Sequence, residues 1–114
     1  MPEKFFGGLD FGTSGARISI INSKRDLIFS DSVSYKYQFA NPRSWIISCE
    51  ELLDNLPHEI KINIVKLSIS GTSGTLTACN SKGSPIGEAI PYYQICNGHN
   101  IVINSIAHGE DHLQ

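Results

Sequence analysis

The run Gly8-Leu9-Asp10-Phe11-Gly12-Thr13-Ser14-Gly15-Ala16-Arg17 decides how this chain folds. Upstream, Phe5 to Asp10 is a short apolar stretch that reaches an acidic residue. Downstream, Arg17-Ile18-Ser19-Ile20-Ile21 is rich in β-branched residues and partly alternates polar with apolar, so two strands flank a glycine turn. Asn22-Ser23-Lys24-Arg25-Asp26 carries turn chemistry, and Leu27 to Ser34 resumes a β-rich pattern, which predicts a third strand folded back on the second. The first third of the chain reads as a three-stranded meander.

Beyond it, Asn41-Pro42 predicts a helix start, with Asn as cap and Pro pre-set for the first turn. Trp45, Cys49, Leu52, Leu53 and Leu56 then recur at helical spacing until Pro57. Glu50, Glu51 and Asp54 on that helix read as a solvated face. Residues 65–70 and 75–79 are strand-like again and are separated by Gly71-Thr72-Ser73-Gly74, so a second strand-glycine-strand unit is expected. Asn80-Ser81-Lys82-Gly83 predicts a turn and residues 86–94 one more extended stretch. A polar ending follows the apolar run 101–107, as if the chain continued beyond it.

Composition narrows the functional classes. The 114 residues are 40% hydrophobic and 18% charged, with a net charge of −2. That balance suits one globular domain and supplies no basic face for a nucleic-acid backbone. No apolar run approaches the roughly 20 residues of a spanning helix, and the N-terminus has no secretory pattern. Three cysteines, Cys49, Cys79 and Cys96, with no C-x-x-C spacing, give neither a disulfide framework nor a zinc knuckle. Cys49 and Cys79 read as buried small side chains, and a reducing cytoplasm is expected.

Two readings of the 10–17 segment compete. In the functional one, Asp10 ends a strand beside a turn whose amides and two hydroxyls converge on an oxyanion, and the carboxylate holds a hydrated Mg²⁺. Arg17 then adds a contact to phosphate. In the structural one, Gly12 and Gly15 supply positive φ in a plain hairpin, Asp10 caps turn amides and Arg17 is a surface residue. The loop is neither a P-loop nor a dinucleotide-binding turn, since neither glycine pattern occurs. His108 and His112 lie in a polar tail and read as no metal site, while His58 and His99 fall in predicted loops.

Gly8 to Arg17 resembles the first phosphate loop of the actin-like ATPase and sugar-kinase superfamily. Together with Leu67 to Leu76, Asn80 to Ile86 and Ala89 to Gln94, it is similar in order and spacing to the N-terminal domain of the FGGY carbohydrate kinases, nearest their xylulokinase-like ribulokinase branch. The resemblance implies an α/β fold of ribonuclease-H-like character, with a mixed sheet begun by the meander and a helix packed on it. It also implies phosphoryl transfer from MgATP to a ketopentose such as D-ribulose or D-xylulose. By the same resemblance, Asp10, Gly12, Thr13, Ser14, Gly15 and Arg17 would face the nucleotide phosphates, with Asp10 at Mg²⁺. Gly71, Thr72, Ser73, Tyr93 and Gln94 would line the sugar pocket. Ser70 stands where relatives tend to carry Asp, and Tyr93 where they carry Asn. Residues 1–114 would be the N-terminal part of a first lobe, with the second lobe and the downstream catalytic Asp absent. The expected partners are sugar, nucleotide and a downstream kinase polypeptide. The competing expectation is a non-catalytic remnant or interaction module of the same fold.

Overall fold

The computed structural model describes residues 3–91. The expectations for Tyr93, Gln94, Cys96, His99, the 101–107 run, His108 and His112 lie outside the described residues. The chain divides between Ser73 and Gly74 into two bodies.

In the first body, strands β1 (Phe5–Phe11), β2 (Gly15–Asn22) and β3 (Leu27–Ser34) form the antiparallel meander. Helix α1 (Pro42–Asp54) and the four-residue α2 (His58–Lys61) lead to β4 (Ile64–Gly71), which pairs in parallel with β1. The sheet order is β3-β2-β1-β4, the mixed sheet with a packed helix that the sequence predicts.

Alternation decides which face is covered. Ala16, Ile18 and Ile20 are buried while Arg17 and Ser19 between them are exposed, and Phe5 and Leu9 of β1 join the same buried side. Leu52 and Leu56 close that core, with Cys49 and Leu53 packed against it. The opposite face carries Gly8, Asp10, Arg17, Ser19, Ser68 and Ser70 toward the C-terminal ends of β1 and β4, with Phe6 and Ile21 farther along the β1–β2 pair.

Helix α1 begins as predicted. The Asn41 side-chain oxygen accepts from the Arg43 amide at 3.0 Å, and Pro42 occupies the first turn. Its most buried line is Ser44, Ser48 and Leu52, one helical turn apart. Trp45 sits on the flank, half-buried, with its indole N–H donating to the Phe39 carbonyl at 2.9 Å. Glu50, Glu51 and Asp54 are exposed, as the solvated-face reading has it.

Two glycine expectations are corrected. Gly12 and Gly15 do not have positive φ, which among the described residues belongs to Arg25, Gly74, Gly83 and Gly87. Gly15 is needed instead for close approach, because a Cβ there would collide with the Val33 carbonyl of β3. The segments Asn22–Asp26 and Asn80–Ser84 form the same turn. In each, the Asn side-chain oxygen accepts the amides two and four residues on, and the fourth residue is left-handed, Arg25 at φ 69° and Gly83 at φ 83°.

The second body, as far as Pro91, has no full ladder. Leu76 pairs with Ile90 and Cys79 with Pro85 only as isolated bridges, and Cys79 is exposed. The expected strand over 75–79 is therefore corrected to a looser loop: its β-rich composition is present, but the successive pairs that make a ladder are not.

Replacing Leu52 with Ala should destabilise the chain by about 2–5 kcal/mol, since its side chain is fully buried in the core cluster. Urea denaturation monitored by circular dichroism reads this directly. A change below about 1 kcal/mol would show that α1 does not dock through Leu52.

Candidate phosphate and sugar site

β1 and β4 run in the same direction and end together, with Asp10 beside Ser70 and Phe11 beside Gly71. The segments that follow, Gly12-Thr13-Ser14 and Thr72-Ser73, therefore leave adjacent strands at one edge of the sheet. The sequence presents Gly-Thr-Ser twice, 59 positions apart. Only the parallel register brings the two copies to the same place. Ligands of α/β sheets characteristically bind outside the carboxyl ends of parallel strands.

Asp10 is the acidic residue of this edge. Its Oδ1 accepts a hydrogen bond from the Ser70 hydroxyl at 3.2 Å, and the Arg17 Nε lies 3.7 Å from its Oδ2. Arg17 stands directly opposite Asp10 in the antiparallel pair, so the β1–β2 register aims the guanidinium at the carboxylate. Both side chains are more than half exposed. A pair this open and this long contributes no more than about 1 kcal/mol. These residues, with Gly8, Ser19, Ser68 and Ile69, line an open depression of about 360 Å³ on the face opposite the core.

The 12–15 loop is held from within and from outside. Gly12 N–H donates to the Gly15 carbonyl at 2.8 Å, and Thr13 and Ser14 form the exposed tip. Tyr35, just past β3, grips the loop twice: its amide donates to the Ser14 carbonyl at 3.0 Å and its hydroxyl to the Gly12 carbonyl at 2.7 Å. Burial first, and the Asp10 charge second, push the Tyr35 hydroxyl pKa up. Burial, and then Glu50, push the Cys49 thiol up too, so it stays protonated and unreactive.

The structure thus brings Asp10, Gly12, Thr13, Ser14, Gly15 and Arg17 to one edge, next to Gly71, Thr72 and Ser73. Sequence reasoning missed Tyr35, whose signal is a contact across 23 residues with no local pattern. It also missed the bond from Ser70 to Asp10, which only the β4 register reveals.

No protein-family model matches the chain. It is 31% identical to the xylulose kinase of Staphylococcus xylosus over 91 residues, an alignment covering 73% of this chain and 19% of that protein. The chain is similar to an N-terminal fragment of an FGGY carbohydrate kinase. Solved sugar-kinase structures share the fold, among them two from Lactobacillus acidophilus. Gluconate kinase from Lactobacillus acidophilus is 19% identical with a TM-score of 0.69, covering 94% of this chain and 23% of that one. Ligand-bound xylulose kinase from the same organism is 19% identical with a TM-score of 0.68, covering 93% and 23%. The chain therefore spans about a fifth of the length of the relatives it matches. The mixed sheet and its packed helix match the fold of these sugar-kinase neighbours. Among the described residues no helix is long and apolar enough to cross a membrane.

The raised Tyr35 pKa has a signed consequence. An unfolded tyrosine ionises near 10.0 and the folded one above it. The contribution of Tyr35 is fully present below pH 10 and is lost as the pH climbs through the folded value. Urea midpoints measured from pH 8 to 11.5 should fall more for the wild type than for Tyr35→Phe. Parallel curves would show that the hydroxyl ionises no later in the folded chain.

Proposed function

We propose that the chain supplies the phosphate-binding part of the first lobe of an ATP-dependent sugar kinase, which moves the γ-phosphoryl group of MgATP onto a ketopentose hydroxyl. The observation that carries this reading is the joint exit of the two Gly-Thr-Ser segments beside Asp10, in a chain 31% identical to a xylulose kinase. In this reading Gly12, Thr13, Ser14 and Gly15 cradle phosphate oxygens and Arg17 offsets their charge. Its exposed, long pair with Asp10 lets the guanidinium turn to a phosphate at little cost.

The donor set fits Mg²⁺. That ion takes oxygen ligands, keeps several waters and is commonly shared between one or two carboxylates and substrate phosphates. Asp10 offers one exposed carboxylate at the strand end, and among the described residues there is no cluster of three potential ligands that would cage a metal in protein alone. When bound there, the ion neutralises charge on the transferring phosphoryl group.

Gly71, Thr72 and Ser73, with Tyr93 and Gln94 by resemblance, are assigned to the sugar. The xylulose kinase relatives favour D-xylulose over D-ribulose within the ketopentose class. Among the described residues Asp10 is the one carboxylate lining the depression, and the resemblance puts the general base on a downstream Asp beside a second phosphate loop. A downstream kinase polypeptide, in the cytoplasm, would complete the site. Residues 1–114 by themselves bind nucleotide phosphate without turnover. General-base assistance alone is worth about 10²–10⁴-fold.

Calorimetric titration of the 114-residue chain with MgATP tests this. Asp10→Asn should weaken binding about tenfold or more, the loss of one charged contact, while the melting temperature stays within a few degrees. Transfer to a pentose panel by the isolated chain should stay at background. Binding undiminished by the substitution would move the site elsewhere. Absence of binding in the wild type would favour the non-catalytic module, and pentose phosphate formed by the pure chain would overturn the assignment of the base.

A further inference from the structure

We propose that Tyr35 is the positioning residue of the phosphate loop, its hydroxyl fixing the Gly12–Thr13 peptide so that the Thr13 amide is presented to an incoming phosphate. The inference rests on the phosphate-binding reading of the loop.

The argument starts from peptide geometry. No cis peptide bond occurs among the described residues, and in a trans peptide the carbonyl and the following N–H point in opposite directions. The Gly12 oxygen accepts the Tyr35 hydroxyl at 2.7 Å. The Thr13 N–H, on the same peptide plane, is therefore turned away from Tyr35. The Tyr35 amide fixes the Ser14 carbonyl at 3.0 Å, so one residue anchors the loop on both sides of Thr13. Amides aimed outward from such a turn are what an anion nest requires.

The anchor is itself braced. The Tyr35 ring stacks on Phe39 with centroids 6.4 Å apart, and Phe39 meets Trp45 at 6.1 Å. Trp45 then donates its indole N–H back to the Phe39 carbonyl. The two aromatic contacts, whose ring geometry adds to simple burial, connect the first turn of α1 to the loop. Fixing a donor before the ligand arrives removes an ordering cost from binding.

Tyr35→Phe keeps the ring and removes only the hydroxyl. In the 114-residue chain, hydrogen exchange of the Gly12 and Tyr35 amides should speed up about tenfold, while Leu9 and Ile18 exchange at wild-type rates. The MgATP dissociation constant should rise about three- to tenfold, the span of one neutral hydrogen bond. Unchanged loop exchange would overturn the proposal whatever the nucleotide does. Faster loop exchange with unchanged affinity would overturn it too, leaving Tyr35 a structural residue. If the wild type fails to bind MgATP, the phosphate reading falls on its own and the exchange rates still judge the anchor. Should the variant not fold, the Gly12 carbonyl carbon-13 shift in the wild type decides instead. It must follow ionisation of the Tyr35 ring, distinct from any response of nearby Asp10, and a Gly12 shift indifferent to the ring refutes the bond.

Discussion

The parallel pairing of β1 with β4 is the constraint on which the rest of the arrangement depends. Antiparallel pairing of β1 with β2 builds the hairpin, yet it brings only Arg17 toward Asp10. The β1–β4 register adds Ser70 beside the carboxylate and Gly71 beside Phe11, so two loops distant in sequence meet at one sheet edge. Helix α1 matters to the site chiefly because it spans the chain from β3 to a strand on the far side of β1. The core under the sheet, Leu9 with Ile18, Ile20 and Leu52, keeps that register in place.

The two faces divide the work along each strand. Alternate residues of β2 go to the core or to the site, so Ile18 holds the sheet while Arg17 and Ser19 face solvent. A one-residue slip would exchange those roles and lose both at once. Gly15 makes the hairpin possible by letting β3 pass close, and Tyr35 follows directly at the end of that strand. The loop is thus framed by its two neighbours in space before any ligand is considered.

Much of this was legible in the sequence where the signal is local. The Asn41-Pro42 start marks α1, the Arg17–Ile21 pattern marks β2, and the Asn-Ser-Lys turns mark both reversals. The family could be read from the order of its motifs, which the similarity to a xylulose kinase supports. What was not legible depends on contacts between distant residues or on geometry with no sequence signature. The 75–79 segment has strand composition but pairs only at isolated bridges. The four residues of α2 are too few to show a helical period. Trp45 fits the apolar spacing of α1, yet Ser44 and Ser48 take the deepest positions, because small hydroxyl side chains let the helix lie close to the sheet. Ser44 meets its own requirement by donating to the Gln38 carbonyl at 2.9 Å.

Those buried serines also shape how the first body responds to heat. With two small polar residues among the four buried positions of α1, the apolar area that the helix hides is modest, and the heat-capacity change on unfolding is correspondingly small. A body of this size has little unfolding entropy in total. Each 1 kcal/mol of added stability therefore moves the midpoint by about 4–8 °C. A weakly held anion at the sheet edge would register as a readily measured displacement of the melting curve, so the small core makes the molecule a sensitive thermometer of its own occupancy.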